Sequence, residues 1–244
     1  MALRARSIIV GAACFLGLTQ AGLGAESVTL HYFERPPYMT KMADGGVRGL
    51  TATAAESAFA KAGIPFTWAL TPAQRQLDVI RRNQGRDCGV GWFKTHDRAA
   101  FGAFTNPIYQ DQPPVAILRK AVELPPEATL KTVLSDHKLR VLVKMGLTYG
   151  GYIKNIVAKY GDNLTIVSAE QAQMLLMIAA NRADLMFAGH EEASLLLERH
   201  PEVNASVRMA AFPDVPPGEH RHILCSRAVG DDVIAALNAA LAAR

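Results

Sequence analysis

Hydrophobic and polar positions alternate between two periods along this chain. "SVTLHYF" (27–33) and "PFTWAL" (65–70) read as strands, with "LTATAAESAFAKAG" (50–63) between them as a helix stopped at Gly63. Thr71 is an expected N-cap with Pro72 at the first helical position, so "PAQRQLDVIRRNQ" (72–84) is a second helix ending before Gly85. "DCGVG" (87–91) is a third strand that stops at Gly91. This β-α-β-α-β order is that of an open, mostly parallel sheet.

Pro113-Pro114 and Pro125-Pro126 then interrupt the alternation, with the strand "PPVAILRK" (113–120) beginning at the first pair. It resumes with the strand "LRVLVKM" (139–145), the helix "TYGGYIKNIVAKYG" (148–161) and the strand "NLTIV" (163–167). Ser168 with Gln171 reads as a capping box for the helix "AEQAQMLLMIAAN" (169–181). "ADLMFAG" (183–189), "EEASLLLERH" (191–200) and "ASVRMAAF" (205–212) continue as strand, helix and strand. After Pro216-Pro217 come the strand "HRHILCSR" (220–227) and a last helix, "DDVIAALNAALAA" (231–243).

The prolines bracket a middle block. The expectation is a two-lobed α/β architecture of two open, mostly parallel sheets. Residues 26–112 with 227–244 form lobe 1 and residues 120–218 form lobe 2. Residues 113–119 and 219–226 are the crossover strands. "LDVIRRNQGRDCGVGW" and "LLMIAANRADLMFAGH" share one shape, helix then Asn, Arg, Asp and an apolar strand, a weak echo between the lobes.

The first 25 residues stand outside this pattern. Arg4 and Arg6 precede the apolar run "SIIVGAACFLGL" and the small residues "TQAGLGA", the form of a cleavable secretory signal cut after Gly24 or Ala25. A lipoprotein cut before Cys14 fits less well, because "VGAA" lacks the usual leucine. The mature chain is therefore expected in the periplasm. The formal charge of +4 is too mild for a nucleic-acid partner, and no Lys/Arg-rich block occurs. No feature calls for an oligomer, so a monomer is expected. Cys88 and Cys225 each lie in an apolar, strand-like run, which fits buried free thiols better than a bridge.

Two lobes imply a cleft, and ligands collect beyond the carboxyl ends of strands in open α/β sheets. Those ends fall at 33–38, 91–98, 146–150 and 189–191. The second carries Trp92, Phe93, Lys94 and Arg98. Arg98 can hold a carboxylate by two parallel N–H···O bonds. Trp92 offers a flat stacking surface and Lys94 a charge, whereas Phe93 would alternate to the other face. Arg75 starts a helix against its dipole and is more simply a solvated side chain. The turn at 146–150 offers free N–H groups to an anion. "HEEAS" lacks the second histidine of a helical zinc site, and His220 with His222 suggest no third ligand. No phosphate loop, GxSxG or Cys/His nucleophile pair occurs, so no cofactor or metal is expected.

"RPPYMTKMADGGVRGL", "RQLDVIRRNQGRDCGVGWFKTHDRAAFGAFTNPIY" and "VLVKMGLTYGGYI" together resemble the bacterial extracellular solute-binding proteins of family 3. Those are the periplasmic components of polar amino acid ABC transporters, and the resemblance is that of a divergent branch. It implies a type II two-lobed fold, a small polar or carboxylate-bearing ligand, and an ABC permease as partner. It also implies roles: Arg98 on the ligand α-carboxylate, Thr148 and Tyr149 on the same group, and Tyr38 covering the side chain. The family's aspartate for the α-amino group would fall at Gly189, with Glu191 as substitute. Trp92-Phe93-Lys94 replaces the family's small hydroxyl residues. A related expectation is an enzyme on this scaffold, similar to periplasmic cyclohexadienyl dehydratases, with Glu191 or Glu192 as general acid. A third is a ligand-sensing module without transport.

Overall fold

A computed structural model of the chain describes residues 26–145, 151–160 and 164–243. The expected signal segment and the turn carrying Thr148 and Tyr149 lie outside the described residues.

The first sheet is built from β1 (Val28–Tyr32), which buries Leu30 on the face covered by α1 (Ala52–Lys61). A hairpin of β2 (Thr40–Lys41) and β3 (Val47–Arg48) turns at Asp44-Gly45. β4 (Phe66–Leu70) and β5 (Asp87–Phe93) flank β1 in parallel, joined by α2 (Ala73–Arg82). After α3 (His96–Phe101), β6 (Gly102–Phe104) and β7 (Tyr109–Gln110) each pair antiparallel with a strand from near the C-terminus.

The second sheet begins with β8 (Val115–Arg119), an interior strand buried on both faces. Val115 and Ile117 enter one core while Ala116 and Leu118 enter the other, the period-two alternation that pleating imposes. α4 (Leu130–Leu134), β9 (Val141–Lys144), α5 (Gly151–Tyr160), β10 (Leu164–Val167) and α6 (Gln171–Ala179) follow. β11 (Leu185–Ala188), α7 (His190–Arg199) and β12 (Val207–Ala210) complete it, in the order β10-β9-β11-β8-β12.

β13 (His220–Ser226) returns to the first sheet between β5 and β6, and α8 (Asp231–Ala242) packs Val233 and Leu237 into that lobe's core. The segments expected as crossovers are thus largely taken up by strands that each belong to one sheet. Both sheets are mixed: helix-linked strands pair in parallel, and the strands next to the chain crossings pair antiparallel.

The echo between the lobes has a backbone cause. Asn83 and Asn181 both adopt left-handed conformations, with φ of 55° and 58°, just after α2 and α6. Asparagine tolerates this region and ends a helix much as glycine does.

Several expectations need correction. Cys88 and Cys225 are joined in a disulfide. The two residues lie directly opposite in the β5–β13 register, a relation between strands 137 residues apart that neither local run reveals. Thr71 does not cap α2: its hydroxyl meets His31 Nδ1 at 2.8 Å, and Pro72 stands at the N-cap. No capping box forms at Ser168, because α6 starts later, with Glu170 at its N-cap. β5 does not stop at Gly91. The register against β13 shifts between His222 and Ile223, so Gly91, at φ +81°, is the extra residue of a bulge and the strand runs on to Phe93.

Among the described residues no helix is long and apolar enough to cross a membrane.

Candidate functional site

The Gly91 bulge aims the end of β5 into the gap between the lobes. Trp92 and Phe93 both line a cleft of about 440 Å³ there, so Phe93 does not turn away as simple alternation predicts. Thr95 then starts α3 by accepting the Arg98 backbone N–H at 3.3 Å, which brings the Arg98 side chain back over the strand end. Its Nη1 donates to the Phe93 carbonyl at 2.8 Å, and its guanidinium carbon lies 4.6 Å from the Trp92 ring centre. Burial lowers the Arg98 pKa from its ordinary value, and the charge of Glu219 opposes that shift.

The other cleft-lining cations have carboxylate partners. Arg35 bonds both oxygens of Glu192, at 2.8 and 3.2 Å. Lys144 meets Glu170 at 2.5 Å, and Arg221 grips Asp111 through two bonds of 2.6 Å. Arg98, half-buried and lining the cleft, has no carboxylate within ion-pair distance among the described residues. A ligand carboxylate would give it one.

Beside the cleft lies a smaller cavity of about 70 Å³ that Tyr38 lines. Tyr38 is fully buried, its ring centre 4.1 Å from the Arg221 guanidinium and 5.3 Å from that of Arg35. Burial raises its pKa well above the ordinary phenol value; Arg221 opposes this while Asp111 and Glu191 add to it. Its hydroxyl donates to Glu191 Oε2 at 3.0 Å. Glu191 Oε1 accepts both the Tyr109 hydroxyl and the Gln112 backbone N–H at 2.8 Å. Burial pushes the Glu191 carboxyl up, but the bonds from Gln112, Tyr109 and Tyr38 outweigh it and hold the group below its ordinary range.

The residues expected at the site therefore separate. Trp92 and Arg98 meet on the cleft wall. Lys94 is exposed and is not among the residues lining the cleft, and Arg75 is exposed as well. Tyr38 and Glu191 meet each other, with Tyr38 on the smaller cavity and not the cleft, and of the two adjacent acids it is Glu192 that lines the cleft. Arg35, Arg221, Lys144 and Gln171 line it without having been expected. Arg35 falls within the strand-end segment 33–38 and was open to prediction. Arg221 was not, because it reads as one more cation in a strand. Yet it is buried, it stacks on Tyr38 and on Phe93, and it donates to the Gly91 carbonyl at the bulge.

Two α/β lobes with a charged gap between them have known counterparts. An ancestral arginine-binding protein bound to arginine superposes with a TM-score of 0.66 at 16% identity, covering 88% of this chain and 91% of its own. A structure concerned with glutathione import via GshT and the cystine ABC importer TcyBC of Streptococcus mutans gives 0.67 at 14%, covering 89% and 88%. A histidine kinase sensor domain with similarity to periplasmic binding proteins gives 0.66 at 15%, covering 89% and 90%. The fold is that of the two-lobed periplasmic binding proteins. No known family profile and no curated protein sequence matches the chain.

Proposed function

We propose that this chain is a periplasmic solute-binding protein that closes its lobes on a small, carboxylate-bearing, amino acid-like ligand. The observation that carries the reading is Arg98, the cleft cation without a carboxylate partner among the described residues, held over Trp92 at the end of a bulged strand. Arg98 receives the ligand carboxylate and Trp92 backs it. Glu192, paired with Arg35, supplies a negative group on the cleft wall for a ligand amine. Lys94 adds charge at the rim, and Thr148 with Tyr149 keep the carboxylate role that the family resemblance gives them. Tyr38 and Glu191 act one layer behind the ligand by tying the lobes together. Delivery to an ABC permease fits the importer-linked neighbour, and the N-terminal signal pattern fits export.

Catalysis fits less well. A general acid must carry its proton at working pH. Glu191 accepts three hydrogen bonds and is held ionised, the wrong form for that task. A sensing role is favoured by one observation, the sensor-domain neighbour, which is as similar as the binding proteins.

A thermal-shift panel of amino acids, dicarboxylates and polyamines tests the reading, because a solute that binds only the native state raises its stability. Stabilisation by at least one carboxylate-bearing solute is expected. Stabilisation by none, or turnover of prephenate or arogenate, overturns it.

A further inference from the structure

Beneath the cleft wall lies a polar side chain with no obvious reason to be there. Gln76, on α2, is fully buried. Its Nε2 donates to the Thr71 carbonyl at 2.8 Å, and its Oε1 accepts the Trp92 indole N–H at 3.1 Å. The two partners fix its orientation, since a carbonyl only accepts and an indole N–H only donates. Room for this contact comes from Gly89. A Cβ there would fall 2.4 Å from Trp92 Nε1 and 2.9 Å from Gln76 Oε1.

An apolar residue could fill the same space without needing partners. What a glutamine adds is a directional hold on one edge of the indole, which fixes the ring's rotation and therefore its plane. The Arg98 guanidinium lies over that plane, with its other constraint at the Phe93 carbonyl. Two-pronged carboxylate recognition depends on the plane of the guanidinium, not only on its charge.

We infer that Gln76 is a positioning residue for the carboxylate site, setting the plane of the Arg98 guanidinium through Trp92. The inference rests on the reading of Arg98 as the ligand contact. It adds that discrimination between a carboxylate and its neutral counterpart is governed from the buried layer, by Gln76 and the space left at Gly89.

The test uses Gln76→Met, Trp92→Phe and the double variant. The probes are L-arginine and L-glutamine, each beside its α-carboxamide, measured by calorimetry. Gln76→Met is expected to weaken the acids about tenfold, the size of a displaced cation–ring contact, and to leave the amides unchanged. In the Trp92→Phe background, which has no indole N–H, Gln76→Met is expected to have no further effect. Equal losses for acid and amide, or an undiminished loss in that background, would show that Gln76 only supports the fold.

A ligand-free arm separates this inference from the functional reading. The chain has two tryptophans, so Trp68→Phe leaves Trp92 as the sole emitter. Gln76→Met and Arg98→Met are each expected to change its emission maximum and its quenching by acrylamide. If no probe binds the wild type, the functional reading fails, and this arm still decides the relay. Unchanged emission in both variants overturns it.

Discussion

Glu191 on α7 accepts the hydroxyl of Tyr109 on β7 at 2.8 Å, a bond that joins the second lobe to the first. Tyr38 and the Gln112 backbone donate to the same carboxylate. This one buried carboxylate thus gathers donors from β7, from the segment between β1 and β2, and from the segment leading into β8.

Glu191→Gln is therefore expected to cost about 2 kcal/mol at neutral pH, because one oxygen acceptor becomes a donor facing donors. The sign of the pH dependence follows from the lowered pKa. The contribution of Glu191 is fully present above its ordinary value of 4.5 and is lost as pH falls through the lower folded value. Denaturation of both proteins from neutral to acid pH should give a constant gap that narrows below that value. A gap that widens in acid would contradict the assignment.

Reduction of the Cys88–Cys225 bridge should lower stability markedly. The bridge spans 137 residues of sequence, and chain-entropy reasoning sets its contribution at up to about 5 kcal/mol. Thermal unfolding with and without reductant, repeated on the Cys88→Ala/Cys225→Ala protein, measures it. Reductant should have no effect on the double variant.

Asp184 should anchor the second lobe against acid. It accepts from Arg140 Nε and backbone N at 2.9 Å, and from Arg119 at 2.8 Å. Arg140's hydrogen bond leads the causes that hold its carboxyl far below the ordinary range, against the opposing effect of burial. Asp184→Asn is expected to cost about 2 to 3 kcal/mol at neutral pH and progressively less below pH ~4. Urea midpoints across that range check the prediction.

Gly91→Ala should damage both stability and the site. A φ of +81° strains any L-residue by about 1 to 2 kcal/mol, and the new Cβ would meet Thr51 Oγ1 at 3.3 Å. Relaxing the bulge would re-aim Trp92 and Phe93. Lower Tm together with weakened solute binding is the expected pair of results.

The order of strands and helices was legible because each segment repeats its own period over enough residues. What lay hidden were relations between segments. The bulge at Gly91 looked like a strand end, since a glycine interrupts a two-residue pattern whether the strand stops or bulges there. The six-residue α3 is too short to show a helical period, so what pointed to Arg98 was its strand-end position and not its element. Glu191 and Glu192 are neighbours in the first turn of one helix, about 100° apart around its axis, and sequence cannot say which faces the cleft. Gln76 read as one more polar helix residue, because its burial depends on Trp92 and Gly89 of another strand.

The most direct measurement is calorimetric titration of the wild type and of Arg98→Met with the carboxylate-bearing solute that stabilises the wild type most. The account predicts one site per chain, with affinity falling about a hundredfold in the variant while the affinity for the solute's carboxamide is unchanged. Equal affinity in the two proteins, or no carboxylate-bearing solute that binds the wild type, would contradict it.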